Sequence, residues 1–322
     1  MLKRTLSLML ASLLVLCCFA GCSGQQTEDD GKLNVVCTVF PQYDWVRNIV
    51  GDMTDGAEIT LLLDSGTDLH SYQPTAADII KITTADLFIY VGGNSDKWVD
   101  DVFATSESDT VKLDLMEVLG ESVFVEETAE GMEAEEEEEE EEGIEYDEHV
   151  WLSLKNAVKL CGAIKDALAG TDPENSAAYA ANCEKYINKL TALDKKYEEA
   201  VSAGKLDTIL FADRFPFRYL VEDYGLNYYG AFTGCSSETE ASFDTVTFLA
   251  GKTDELDLPV ILVTETSDKS IADTVSAACK TAKPEILVMD AMQSVTKDRL
   301  EAGETYIGAM ESNLEILKSA LG

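Results

Sequence analysis

Short apolar segments rich in Val, Ile and Leu alternate with helix-like segments along the chain, and this alternation restricts the possible folds more than any other feature. Apolar runs of this length are typical of buried parallel strands. They lie at residues 33–39, 59–63, 87–91, 208–212, 260–264 and 286–289. The helix-like segments lie at residues 43–50, 76–83, 154–169, 243–250, 270–281 and 305–321. Strands that alternate with helices in each half predict an α/β protein with two lobes, each built on a parallel sheet.

A longer helix-like segment separates the two halves. It starts at Asp172-Pro173, where the aspartate can cap the first turn and the proline ring fixes a helical φ. Apolar side chains then recur every three or four residues until Gly204. One long helix between the lobes predicts only a modest rocking motion when a ligand binds. The predicted divisions are an N-terminal lobe (32–171), a connecting helix (172–203) and a C-terminal lobe (204–322).

The first residues have the features of an export signal. Lys3 and Arg4 precede an apolar run that is short for a membrane span and is followed by small residues. The stretch "FAGC", which ends at Cys22, resembles a bacterial lipobox, in which the cysteine carries the lipid. Cleavage of an ordinary secretory signal is the alternative. We expect a signal peptide (1–21), a tether (22–31) and a lipid anchor on Cys22 at the outer face of the bacterial cytoplasmic membrane.

The charge of the chain restricts its partners. The formal net charge is −37, which disfavours nucleic acids and anionic lipid surfaces and favours a cation. Residues 126–148 hold fifteen acidic side chains and no basic one. Such a tract repels itself and is expected to stay unfolded. It either concentrates divalent cations near its end or has no role in metal capture.

Only two histidines occur in the chain, His70 and His149. His70 follows a predicted strand, and ligands of open α/β sheets bind beyond the carboxyl ends of strands. Asp213, Glu265 and Asp290 each follow directly after a predicted strand. Imidazole nitrogen suits Zn²⁺, and added carboxylates also suit Mn²⁺. The residues therefore predict a transition-metal site in a cleft at the carboxyl ends of the strands, between the two lobes.

Three segments resemble the solute-binding lipoproteins of zinc and manganese ABC importers. They are "GTDLHSYQPTAADI", "ADLFIYVGGNSDKWVD" and "DEHVWLSLKNAV". The resemblance implies two α/β lobes, a rigid connecting helix and one metal between the lobes. It also implies that His70 and His149 are the two ligands of the first lobe and that Asp290 is the carboxylate ligand of the second.

One position departs from the family pattern. Arg214 stands where the family has histidine or glutamate. Arginine cannot bind a cation, because its guanidinium stays protonated and offers no lone pair. Either Asp213 takes over as a ligand, or Arg214 pairs with a carboxylate such as Glu265 and a water fills the position. Glu265 and Glu240 are further substitutes.

The resemblance implies a binding protein, not an enzyme, that captures Zn²⁺ outside the cytoplasmic membrane and delivers it to an ABC permease. A manganese-specific component is the alternative, and we expect a monomer. Histidine ligation predicts metal release below about pH 6. Two further alternatives are an exported metallohydrolase with Glu148 as its base and a binder of an organic chelate. The five cysteines after Cys22 predict either one or two disulfides or buried thiols.

Overall fold

The computed structural model describes residues 31–133, 144–236 and 240–322, without the side chains of residues 54 and 55. The predicted signal peptide, Cys22, almost all of the tether and the centre of the acidic tract lie outside the described residues.

Four parallel strands form the sheet of the N-terminal half, in the order β2-β1-β3-β4. β1 is central, and its Val35 lies opposite both Ile59 and Leu87. These strands are β1 (Leu33–Cys37), β2 (Ala57–Leu61), β3 (Leu87–Tyr90) and β4 (Val111–Asp114). The helices of this half are α1 (Phe40–Val50), α2 (Ala76–Thr83), α3 (Trp98–Thr105), α4 (Leu115–Leu119) and α5 (Leu154–Thr171).

Parallel strand pairs form the C-terminal half. β5 pairs with β7, β6 with β8, and β9 with β10. A parallel bridge from Phe211 to Leu262 links the end of β5 to β9. The strands are β5 (Thr208–Leu210), β6 (Arg214–Phe215), β7 (Asn227–Tyr229), β8 (Phe232–Thr233), β9 (Val260–Val263) and β10 (Glu285–Val288). The helices after the connecting helix α6 (Ser176–Ala203) are α7 (Arg218–Tyr224), α8 (Phe243–Glu255), α9 (Ser270–Ala278), α10 (Lys297–Glu301) and α11 (Tyr306–Leu321).

The connecting helix α6 is held from both sides. Its 28 residues span roughly 42 Å. The amide of Asn182 donates to the carbonyl of Ile49 at 3.1 Å, and the hydroxyl of Tyr197 donates to the carbonyl of Met310 at 2.6 Å. Its apolar stripe is buried along its length, which gives the stiff connection that the spacing predicts. A separate turn of 3₁₀ helix, Pro173–Asn175, precedes it.

The structure confirms the predicted α/β class, with parallel sheets and one long helix. The sequence patterns missed β4, the short strands β6, β7 and β8, and the helices α3, α4, α7 and α10. These elements are two to eight residues long, and elements this short give only a weak periodic signal. The division into lobes at the predicted boundaries stays a prediction.

Two further observations concern the thiols and the helices. All five cysteines of the described residues are free, so no disulfide forms among them. Within the described part of the chain, no helix has both the length and the apolar character that a membrane span needs.

Candidate metal centre

The two histidines meet in the folded chain. His70 lies in a 3₁₀ turn (Leu69–Ser71) in the loop after β2, and the carboxylate of Asp68 caps this turn by accepting from the His70 N–H at 3.0 Å. His149 immediately precedes the 3₁₀ turn Val150–Leu152, ahead of α5. The Nε2 atoms of the two rings are 3.2 Å apart.

This separation suits two ligands of one metal ion. Zinc binds imidazole nitrogen at ~2.0–2.1 Å, and tetrahedral angles then place two ligand nitrogens ~3.3–3.4 Å apart. The observed 3.2 Å lies close to that value. Two nitrogen lone pairs that face each other at this distance repel unless a cation or a hydrogen-bond donor lies between them. The geometry of the pair therefore suits the binding of a cation or of a hydrogen-bond donor.

Hydrogen bonds at the opposite nitrogens orient both rings. His149 Nδ1 lies 2.9 Å from Oδ1 of Asp147, and the same oxygen accepts the His149 backbone N–H at 2.8 Å. His70 Nδ1 lies 2.9 Å from Ser95 Oγ and 3.5 Å from Glu148 Oε2. A carboxylate can only accept a hydrogen bond, so the ring proton of His149 is on Nδ1. The Nε2 atom then has a lone pair that can bind a metal ion. Ligand histidines in metal sites are commonly held in this way.

Burial keeps both rings neutral. It lowers the pKa of His149 to about 4, and together with the neighbouring His149 ring it lowers the pKa of His70 to about 3. Burial also raises the pKa of Asp147 and of Glu148 to about 7. A cation at the site would favour the charged forms of these carboxyls.

Two residues that the sequence did not single out lie at the histidine pair. The Gln293 amide contacts Nε2 of His149 and lies 3.5 Å from Nε2 of His70. Among residues 31–133, 144–236 and 240–322, one group of three or more potential ligands has its atoms within 4.8 Å of one another: His70, His149 and Cys235.

The strand-end carboxylates bind backbone and arginine groups instead. Oδ2 of Asp213 accepts from the N–H and hydroxyl of Thr264 at 2.9 and 2.7 Å. Oδ1 of Asp290 accepts the Met292 N–H at 2.8 Å, and its Oδ2 pairs with Arg299. Metal ligation by these carboxylates stays a prediction, since each would have to exchange these partners for the ion.

Glu265 supports the loop that carries Gln293. Its two oxygens accept the N–H groups of Ala291 at 2.8 Å and of Gln293 at 3.0 Å. Arg214 pairs with Asp68 at 2.7 Å, not with Glu265 as the sequence suggested. Glu240 is exposed and is not in the three-ligand group. The arginine therefore stabilises the carboxylate that caps the His70 turn.

Two cavities adjoin His70. One, of about 450 Å³, is lined by Asp68, Asp213 and Arg214 among others. The other, of about 250 Å³, is lined by Glu126, Glu148 and Cys235. In this second cavity one carboxylate oxygen of Glu126 and one of Glu148 are buried without a hydrogen-bond partner in the described chain. Unpaired buried carboxylate oxygens favour a cation nearby.

Comparison with known proteins identifies the family. The sequence profile described as "Zinc-uptake complex component A periplasmic" matches residues 35–320. The chain belongs to this family. Its members are binding components of transport systems and not enzymes, so the metallohydrolase alternative is set aside. The resemblance inferred from the three sequence segments is confirmed.

Curated relatives agree with this assignment. Zinc-binding lipoprotein AdcA of Streptococcus pneumoniae is 34% identical over 319 residues, which cover 98% of this chain and 60% of AdcA. High-affinity zinc uptake system protein ZnuA of Bacillus subtilis is 30% identical over 318 residues, which cover 96% of this chain and 94% of ZnuA. This chain therefore spans 60% of the length of the AdcA protein it matches.

Solved structures share the fold. The Zn(II)-bound ZnuA-like domain of Streptococcus pneumoniae AdcA has a TM-score of 0.71 at 30% identity, over 90% of this chain and 99% of that one. The periplasmic zinc binding protein TroA from Treponema pallidum has a TM-score of 0.72 over 91% of this chain and 100% of that one. At 23% identity, TroA shows the fold alone.

Cys235 and Gln293 were missed for different reasons. Gln293 lies only three residues after Asp290, but an amide side chain carries no charge that would mark it as a ligand. Cys235 follows β8, a two-residue strand that periodicity cannot predict. The odd number of cysteines after Cys22 was the one signal in the sequence for an unpaired thiol.

Proposed function

We propose that this protein is an extracytoplasmic solute-binding component that captures Zn²⁺ between its two halves and delivers it to the permease of an ABC importer. The observation that carries the proposal is the pair of neutral imidazoles whose Nε2 atoms are 3.2 Å apart. His70 and His149 hold the ion, and Gln293 reaches it from the C-terminal half through its amide oxygen after rotation of the amide. Asp290 remains the sequence-based candidate for the same position.

Zinc is the proposed cargo because the relatives named for a metal at 30% identity or more are zinc proteins. A manganese-bound neighbour, from Candidatus Liberibacter asiaticus, is only 22% identical and supports the fold alone. Two imidazoles and few carboxylates within reach also favour zinc over manganese. The 3.2 Å between the two ring nitrogens suits a single metal ion rather than an organic chelate.

We also propose that Cys22 carries a lipid that anchors the protein to the outer face of the cytoplasmic membrane, and that the anchored protein is a monomer. The lipobox-like stretch and the relatives named as lipoproteins support the anchor. A Cys22→Ser variant is expected to be released from cell membranes into the soluble fraction.

Zinc titration of purified, metal-free protein tests the binding site. Wild-type protein is expected to bind one Zn²⁺, and the His70→Ala and His149→Ala variants are each expected to lose measurable high-affinity binding. Tyr224→Phe is the control, because this hydroxyl bonds to Asp194 and not to the site. Full affinity in either histidine variant would overturn the proposal.

A further inference from the structure

We propose that the sulfur of Cys235 is a third ligand of the zinc ion, so that this chain replaces the missing family ligand at Arg214 with a thiolate. The inference rests on the proposed function and names an additional member of that site. The juxtaposition that supports it is the group of His70, His149 and Cys235, in which one nitrogen of each ring and the Cys235 Sγ lie within 4.8 Å of one another.

The backbone before Cys235 is shaped to approach His149. A Cβ on Gly234 would lie 3.1 Å from both Cε1 and Nδ1 of the His149 ring and 2.9 Å from the carbonyl oxygen of Phe215. Only glycine leaves room for this close approach. The strand β8 and Gly234 therefore carry the following residue, Cys235, to the histidine pair.

Hydrogen bonds fix Cys235 in this place. Its backbone N–H donates to Oε1 of Glu126 at 3.3 Å. Burial and the neighbouring carboxyls raise the pKa of the Cys235 thiol, so the sulfur keeps its proton until an ion binds, and the backbone N–H of Glu148 donates to this sulfur. Zinc and a sulfur ligand lie ~2.3 Å apart, so tetrahedral geometry needs ~3.5 Å between sulfur and each nitrogen. A shift of the side chain by roughly 1 Å meets this requirement, since all three ligand atoms already fall within 4.8 Å.

The chemistry of the ligand exchange is simple. On zinc binding the Sγ–H bond breaks heterolytically, its proton passes to a buffer base in the cavity, and the Sγ–Zn bond forms. No oxidant or reductant takes part. A thiolate is a soft ligand that favours zinc over manganese, so Cys235 would add to the selectivity of the site.

Cobalt substitution gives a readout specific to the sulfur. Co²⁺ bound to the wild-type protein is expected to show a sulfur-to-metal charge-transfer band in the near ultraviolet together with visible d–d bands. Cys235→Ser is expected to lose the charge-transfer band and keep the d–d bands. Cys183→Ser is the matched control, because this buried thiol on α6 bonds to the Cys161 carbonyl and is expected to leave both bands unchanged.

Zinc and manganese affinities complete the test. Cys235→Ser is expected to weaken Zn²⁺ binding by at least ~10-fold and Mn²⁺ binding by less. A charge-transfer band that persists in Cys235→Ser, or that is absent from Co²⁺-loaded wild type, overturns the role of Cys235. Failure of the wild-type protein to bind Zn²⁺ or Co²⁺ would instead overturn the proposed function, so the two failures are distinguishable.

Discussion

At the scale of single residues, the hydrogen bonds at the Nδ1 atoms determine what the histidine pair can bind. Asp147 and Ser95 hold the outer nitrogens of the two rings, and the inner Nε2 atoms face each other at 3.2 Å. Burial makes the charged form of either ring costly, so two protons cannot take the place of a metal ion. The Gln293 amide is the uncharged group that touches both rings.

A pair of variants separates the two candidates for the ligand from the C-terminal half. Gln293→Leu is expected to weaken zinc binding by ~10–100-fold, because leucine offers no oxygen to the ion. Asp290→Asn is expected to have a smaller effect, because the Asp290 carboxylate is paired with Arg299. Calorimetric or chelator-competition titration measures both. The reverse order of effects would identify Asp290 as the ligand.

The pKa values of the two histidines are directly testable, because the chain contains no others. The folded-state values of about 3 and about 4 lie below the ordinary value of 6.5. We therefore expect the ring proton resonances of metal-free protein to stay constant from pH 7.5 to pH 5, and to titrate near ~6.5 in denaturant. A native midpoint near ~6.5 would contradict burial of the pair.

The same shift revises the pH at which protons displace zinc from the rings. Unperturbed imidazoles predict release below about pH 6. A group with a depressed folded pKa stays neutral until the pH falls through that lower value, so protons compete for the ring nitrogens only near pH 4 and below. The depressed pKa also affects folding. Between pH 6.5 and pH 4 the unfolded chain binds more protons at these histidines than the folded chain, so the free energy of unfolding decreases as the pH falls through this range.

At the scale of elements, short connections rather than the long helices position the site. The turn that carries His70 depends on the Asp68 cap, and the loop that carries Gln293 depends on Glu265. Hydrogen bonds to one carboxylate also hold the end of α8 against the segment before β10. There Asp254 accepts the backbone N–H groups of residues 280, 281 and 282 at 2.7, 2.9 and 2.8 Å.

Asp254→Asn is expected to destabilise the protein at pH 7 and to have little effect in acid. The three N–H donors hold the Asp254 pKa well below its usual range. A carboxyl with a lowered folded pKa contributes stability that is present above the unfolded value of 3.8 and is lost as the pH falls through the folded value. Urea unfolding at pH 7 and at low pH measures the difference.

Glu255→Gln is the control for this variant, because the exposed Glu255 side chain pairs with Lys252 one helical turn away. Such pairs contribute little to stability. An equal loss of stability in Asp254→Asn at both pH values would show that the charge of the Asp254 carboxylate does not stabilise this contact.

At the scale of the whole molecule, one helix links the two halves and a large negative charge surrounds them. α6 bonds to Ile49 on one side and Met310 on the other, which limits relative motion of the halves it joins. The net charge of −37 attracts divalent cations over distances that salt shortens.

Zinc association is therefore expected to slow as ionic strength rises from ~0.01 M to ~0.1 M, where the screening length falls from ~30 Å to ~10 Å. The dissociation rate is expected to change less. Stopped-flow fluorescence measures both. Replacing the glutamates at 135–142 with glutamine reduces the salt dependence if the tract concentrates cations, and leaves it unchanged if the tract has no role in capture.

The sequence by itself determined the α/β class and the long connecting helix and marked the two histidines as candidate ligands, because periodicity and local motifs report on neighbouring residues. The tertiary structure alone showed which hydrogen bonds Asp213, Glu265 and Arg214 make and brought Gln293 and Cys235 to the histidines. Gln293, for example, contacts His149 and His70, which lie 144 and 223 positions away from it in the sequence. Their geometry depends on how short loops between packed strands are held, which no local pattern in the chain records.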